Sequence, residues 1–150
     1  MPDASSDIAT FATSNRMQVA LSALTEIGGI NFNPGADSFT ITAGITADQS
    51  YNLKLSGSGI VNSSGKLQTF LCGFNGFAAA AFLFYNSATA GSMTSFGGAG
   101  GSTFEFNDSS SAGSAAFDLG GGISDSGIFF WDSSTAADAT MAPCPIRWWA

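Results

Sequence analysis

The sequence predicts an all-β fold, a parallel β-helix of the β-solenoid class. Three observations carry the prediction: apolar residues alternate with period two, turn signals recur about every ten residues, and one line is written three times at a coil-like interval.

The alternation comes first. "SFTITAG" sets Phe39, Ile41 and Ala43 on one face, and "YNLKLSG" does the same with Tyr51, Leu53 and Leu55. "QVALSAL" aligns Val19, Leu21 and Ala23, and "GINFN" aligns Ile30 with Phe32. Successive strand side chains point to opposite faces, so such runs predict half-buried strands. Between them stand "EIGG" at 26–29, "NPGAD" at 33–37, "SGSG" at 56–59 and "NSSGK" at 62–66, all expected to be turns. "NGFAAAAFLF" is rich in helix formers and is the one place where a helix is expected, although its Phe82 and Phe84 alternate as strand residues do.

The repeat chooses among the β architectures. "FYNSATAGSM", "FNDSSSAGSA" and "FWDSSTAADA" begin at Phe84, Phe106 and Phe130, with offsets of 22 and 24 residues. Those offsets fall within the period range of solenoids. Each copy ends a short strand on Phe and opens a polar turn with Asn86, Asp108 or Asp132. These side chains are expected to bond their own backbone two residues on, as Asx turns. Small residues at 90, 112 and 136 are expected at a tight corner, and Met93, Ala115 and Ala139 are expected to point inward on the next strand. Stacked coils would place Phe84, Phe106 and Phe130 in an internal ladder and Asn86, Asp108 and Asp132 in a polar ladder at the corner. A sandwich has no reason to repeat a ten-residue line, whereas a solenoid buries each coil on the next.

The expected organisation is one domain over 1–150, with coils to 141 and an irregular tail or cap over 142–150. The tail, "APCPIRWWA", puts two prolines within three residues, which a central strand excludes. At a period of 20–25 residues, about five to seven coils are expected.

Composition narrows the function classes. Charged residues make up only 10% of the chain, yet there are 14 Phe, so a packed core is expected rather than disorder. The net charge is −7, and the cations are Arg16, Lys54, Lys66 and Arg147. That leaves no basic footprint for nucleic acid or for anionic lipid. No apolar run reaches the roughly 18 residues of a membrane span, and residues 1–11 lack the basic and apolar regions of a signal peptide. Cys72 and Cys144 have unlike flanks and are read as two buried free thiols, with a disulfide as the alternative if the protein is exported. Without His or a C-x-x-C spacing, zinc is not expected.

The chemistry-bearing residues give no sharp site. Without His there is no Ser-His-Asp arrangement, and neither Lys54 nor Lys66 sits in a motif that would make it a base. Glycoside cleavage needs two carboxylates, for which Glu105, Asp108, Asp118, Asp125 and Asp132 are the candidates. Asp108 and Asp132 would lie one coil apart, about 4.8 Å, but Asn86 at the same place in the first copy fits solvated turns better. "GGGISDSGI", Gly120 to Ile128, partly matches a calcium-binding β-roll loop. Asp125 is in place there, but Ile123 occupies a required glycine position, so a Gly-rich turn is the plainer reading. "TIT" at 40–42 is the only clear Thr-x-Thr, too little for an ice-binding ladder. Tyr85 and Trp131 follow Phe84 and Phe130 at one repeat position, expected outward, with Asn107 between them. Together with Trp148 and Trp149 they form the candidate interaction surface. No catalytic residue, metal or cofactor is expected.

"ASSDIATF", "GGINFNPGADSFTITAG" and "LSGSGIVNSSGKLQTF", followed by "SSSAGSAAF" and "SSTAADATM", resemble the large autotransporter-like bacterial surface proteins. Those proteins are rich in autotransporter-associated β-strand repeats. The resemblance covers residues 3–141. It implies a right-handed parallel β-helix, export to the bacterial surface or the extracellular space, a structural or adhesive role, and no active site. The expected function is therefore a non-enzymatic structural or adhesive module that self-associates through its solenoid ends, where strand edges are open. The alternatives are a carbohydrate-binding or polysaccharide-cleaving β-helix, and a truncated reading frame without a selected function.

Overall fold

The structure, a computed structural model, describes residues 3–44, 49–74, 79–98, 100–120, 126–142 and, for its backbone, 146–149. The alternating segments become strands: β1 (Ile8–Phe11), β2 (Gln18–Ala20), β3 (Thr25–Phe32), β4 (Thr40–Ala43), β5 (Leu53–Asn62), β6 (Gln68–Cys72), β7 (Ala81–Phe84), β8 (Thr94–Gly97), β9 (Thr103–Phe106), β10 (Ala116–Asp118), β11 (Gly127–Trp131), β12 (Thr140–Met141) and β13 (Ile146–Trp149). Odd-numbered strands form a seven-stranded sheet and even-numbered strands a six-stranded one, each ordered as in the sequence. All pairings between these strands are parallel. Alternate strands stacking in parallel on each sheet make the chain a β-solenoid.

Each full coil runs along three sides. Side one stacks Thr25–Ile27, Leu53–Leu55, β7, β9, β11 and β13. Side two stacks β1, Gly29–Phe32 and Gly59–Asn62, and it narrows to single bridges at Thr89, Ser111 and Thr135. Side three is the six-stranded sheet, whose six rungs match the expected coil number.

β3 and β5 are long because each spans two sides, bending where their register shifts between Ile27 and Gly29. The "EIGG" and "SGSG" segments are therefore bends inside strands, and the expectation of turns there was wrong. Glycine serves the bend because the coils nearly touch at it. A Cβ on Gly57 would lie 2.6 Å from the Gly28 carbonyl oxygen.

The expected helix is absent too. Ala81–Phe84 is strand β7, with Phe82 and Phe84 fully buried between outward Ala81 and Leu83. Residues 75–78 of that segment lie outside the described residues. Alanine's helix propensity is a weak preference, and two inward phenylalanines at period two override it.

The core is built of stacked phenylalanines. Phe84, Phe106 and Phe130 stack along side one, with centroid distances of 4.6 and 5.0 Å and near-parallel planes. Phe70, Phe96 and Phe117 form a second ladder from side three, at 4.8 and 4.9 Å. The two ladders meet edge to face, as Phe84 does with Phe96 at 6.0 Å and Phe106 with Phe117 at 6.1 Å. Burial of each ring stabilises the fold by roughly 1.5–3 kcal/mol, and offset and edge contacts add about 0.5–1.5 kcal/mol per pair.

Two further expectations fail in instructive ways. Met93 points outward, half exposed and with φ of +51°. Ser95 pairs with Ala116, so it is buried Thr94, the first residue of β8, that matches Ala115 of the next coil. Met93 is an extra residue accommodated in the turn. The tail is not wholly irregular either. Ile146–Trp149 continues the sheet in register with Ile128–Trp131. Pro143 and Pro145 precede that strand, so the exclusion of proline does not reach it.

Candidate functional site

Two features of the repeat face outward: a polar corner between sides one and two, and the outer face of side one.

At the corner, Asn86, Asp108 and Asp132 have φ of +57°, +58° and +55°. Each holds the second position of a β-turn, closed by Ala88 N–H to Tyr85 O, Ser110 N–H to Asn107 O, and Ser134 N–H to Trp131 O at 3.0–3.1 Å. Asn and Asp tolerate positive φ better than other residues with a Cβ. Their side chains reach the neighbouring coil rather than their own backbone, which corrects the Asx-turn expectation. Asn86 N–H donates to Asp108 Oδ2 at 2.8 Å, Asp108 N–H donates to Asp132 Oδ2 at 3.3 Å, and Asn86 Nδ2 donates to the Ser56 carbonyl at 2.7 Å. The local i to i+2 turns are made three residues later. Thr89, Ser111 and Thr135 hydroxyls accept from the N–H groups of Gly91, Gly113 and Ala137 at 3.0–3.1 Å.

On side one the register builds two outward ladders. Glu26, Lys54, Leu83, Glu105 and Phe129 share one, and the backbone of position 147 pairs with Phe129. Tyr85, Asn107 and Trp131 follow one another on the second, next to the paired strand ends, and the backbone of position 149 pairs with Trp131. Lys54 Nζ lies 3.2 Å from Glu26 Oε1 and 4.6 Å from the centre of the Tyr85 ring. Glu26 also accepts from Ser56 Oγ at 2.9 Å, and the Ser56 hydroxyl, followed by Lys54, holds its carboxyl below the usual value. Phe129 and Trp131 lie side by side with centroids 6.5 Å apart and planes 13° from parallel, both half-buried. Glu105, half-buried in the ladder position between Leu83 and Phe129, has its pKa raised by burial.

The expected surface residues therefore divide. Tyr85 and Trp131 share a ladder, and Trp149 pairs with Trp131. Trp148 instead pairs with Phe130, on the rung position of the core ladder. The sequence reading missed Leu83 and Phe129, whose apolar residues at outward positions of alternating strands were the available signal.

The candidate carboxylates are scattered. Glu105 is on side one, Asp108 and Asp132 are at the corner, and Asp118 is on side three, accepting from Gly120 N–H at 3.0 Å. Asp125 lies outside the described residues. Among the described residues no group of three or more His, Cys, Asp or Glu gathers as a metal site would require. Lys66 is tied to Asp37 at 2.9 Å, as Lys54 is to Glu26. Cys72 is a buried free thiol, and Cys144 lies outside the described residues. The "TIT" pair has no continuation, because the coils on either side carry Gln18 and Ala20, and Thr69 and Leu71.

Fold and faces together define a β-solenoid protein whose outer side-one face mixes charged, aliphatic and aromatic residues. No family model, curated protein or solved structure matches the chain.

Proposed function

We propose that the chain is a non-enzymatic structural or adhesive module of an exported bacterial surface protein, one that associates with itself through the ends of its solenoid. The observation that carries this reading is the outer face of side one. Leu83, Tyr85, Phe129 and Trp131 stand there half-buried among Lys54, Glu105 and Asn107, an apolar and aromatic cluster at the outward positions of a parallel sheet. Export and surface location rest on the resemblance of the "SSSAGSAAF"-type lines to autotransporter-associated repeats. Sedimentation velocity over a concentration series tests self-association. A single monomeric species up to millimolar concentration would remove it.

Carbohydrate is the second reading, favoured by one observation. The near-parallel Phe129 and Trp131 rings adjoin Asn107 and Glu105 on the same face, an apolar surface with polar groups beside it. A polysaccharide panel assayed for binding and for reducing-end release, with Trp131→Ala as control, tests it. Binding lost in Trp131→Ala without release supports a lectin-like face, release points to cleavage, and no response removes the reading.

A further inference from the structure

Glu105 stands at the centre of a patch on the outer face of side one. On its own ladder it lies between Leu83 and Phe129, and on the next ladder Asn107 lies between Tyr85 and Trp131. All six residues are half-buried. The same face carries a second carboxylate in different surroundings. Glu26 has Lys54 Nζ at 3.2 Å and the Ser56 hydroxyl at 2.9 Å, and these hold its pKa down. Among the described residues Glu105 has neither a cation nor a hydrogen-bond donor of this kind, and burial pushes its pKa up. Beside it, Asn107 Nδ2 donates to the Phe84 carbonyl at 3.4 Å, which leaves the amide oxygen as the acceptor Asn107 adds to the patch. The chain itself holds a cation in similar company nearby. The Lys54 ammonium lies between the Glu26 carboxylate and the Tyr85 ring, 4.6 Å from the ring centre.

We propose that this patch docks an arginine side chain of a partner polypeptide, its guanidinium on the Glu105 carboxylate and beside the Trp131 ring. This names the partner chemistry of the adhesive reading and rests on that reading, while it draws nothing from self-association through the solenoid ends. Arginine offers five N–H donors and no acceptor, which suits a carboxylate next to an amide oxygen. Its planar fork pairs with a carboxylate through two parallel bonds and stacks on aromatic rings. A neutral sugar would leave the Glu105 charge uncompensated among apolar neighbours. The net charge of −7 draws a basic partner to the face and opposes a second copy of the chain there.

Binding of a fluorescent glycine peptide carrying arginines tests the patch, with a citrulline peptide of the same shape and no charge as its control. Anisotropy on the full chain measures affinity, and amide NMR shifts locate the contact. The arginine peptide is expected to bind and to move the signals of β9 and β11. Glu105→Gln, which keeps the side chain's shape, should weaken binding about tenfold, and Trp131→Leu about threefold. Asp118→Asn removes the same charge from side three and should leave binding unchanged. Circular dichroism of each variant separates lost binding from lost fold. Equal binding to the parent and to Glu105→Gln, or equal binding of the arginine and citrulline peptides, overturns the proposal. If neither peptide binds while a polysaccharide does, and Trp131→Ala abolishes that binding, the arginine proposal falls and the adhesive reading stands. If neither peptides nor polysaccharides bind, both fall.

Discussion

Asp108 accepts a hydrogen bond at 2.8 Å from the backbone N–H of Asn86, which lies 22 residues earlier and one coil away. The side chain that gives the repeat its most polar position is thus a tie between coils, not a solvated ornament. Asp108 must tolerate positive φ and present an acceptor oxygen at the same time, and only Asn and Asp do both well. Asp108→Asn should change stability by less than about 0.5 kcal/mol, and Asp108→Ala should cost about 1–2 kcal/mol through the lost bond and the strained turn. Denaturant titration checks this, and equal effects of the two substitutions would contradict the tie.

Ser110 Oγ is buried with no hydrogen-bond partner. Its equivalent in the next coil, Ser134, donates to the Phe106 carbonyl at 3.0 Å. Ser110 has no such outlet, because Asn107 uses the corresponding Phe84 carbonyl through both its N–H at 2.9 Å and its Nδ2 at 3.4 Å. The preceding coil already carries Ala88 at this position, fully buried. Ser110→Ala should therefore stabilise the protein by about 1 kcal/mol or more, read as a rise in thermal midpoint. Destabilisation would mean that the hydroxyl has a partner in solution.

Gly59 has φ of +75°, and a Cβ there would overlap the backbone N and O of Thr89 in the next coil. Gly65 has φ of +73° with nothing within 4 Å of its would-be Cβ. Alanine at either site meets the same backbone penalty, roughly 1–2 kcal/mol, but only at 59 must the coils also move apart. Gly65→Ala should fold with a modest loss of stability, and Gly59→Ala should lose more than about 3 kcal/mol or fail to fold. Similar midpoints for the two variants would refute the close approach.

These sites show which parts of the molecule the sequence made legible. The Phe84, Phe106 and Phe130 ladder could be read because the same large side chain recurs at the coil interval, and stacking demands that recurrence. The bends at 26–29 and 56–59 were misread because glycine pairs serve a turn and a close coil-to-coil approach equally well. Met93 was misplaced because three lines of equal length hide one inserted residue, which only the pairing of Ser95 with Ala116 exposes. Tyr85 and Trp131 were visible as an outward pair because they share a repeat position. Glu105, Leu83 and Phe129 became neighbours only through the register of β7, β9 and β11. Nothing in the local sequence of any one of these strands states that register.

The Cys72 thiol is pushed from 9.0 up to about 12 by burial. At neutral pH it has almost no thiolate, and a thiol reagent should reach it only through unfolding. In a Cys144→Ser background, labelling should be slow in native buffer and rapid in denaturant. The raised value also makes stability fall as pH rises from 9.0 towards about 12, because the unfolded chain ionises first while the folded chain holds its proton. Cys72→Ala should flatten that alkaline decline. Fast native labelling would show the residue to be accessible.

Glu105 presents the opposite end of the pH scale on the outer face of side one. Burial in the ladder between Leu83 and Phe129 raises its pKa above 4.5. The folded state therefore favours the protonated carboxyl. This contribution to stability is fully present below 4.5 and is lost as pH rises through the folded value. Glu105→Gln keeps the shape and removes the charge that the apolar neighbours disfavour. The variant should have a higher thermal midpoint than the parent at pH 7, and the difference should vanish near pH 3. A midpoint gain that persists unchanged at low pH would place its cause in packing rather than in the ionised carboxylate.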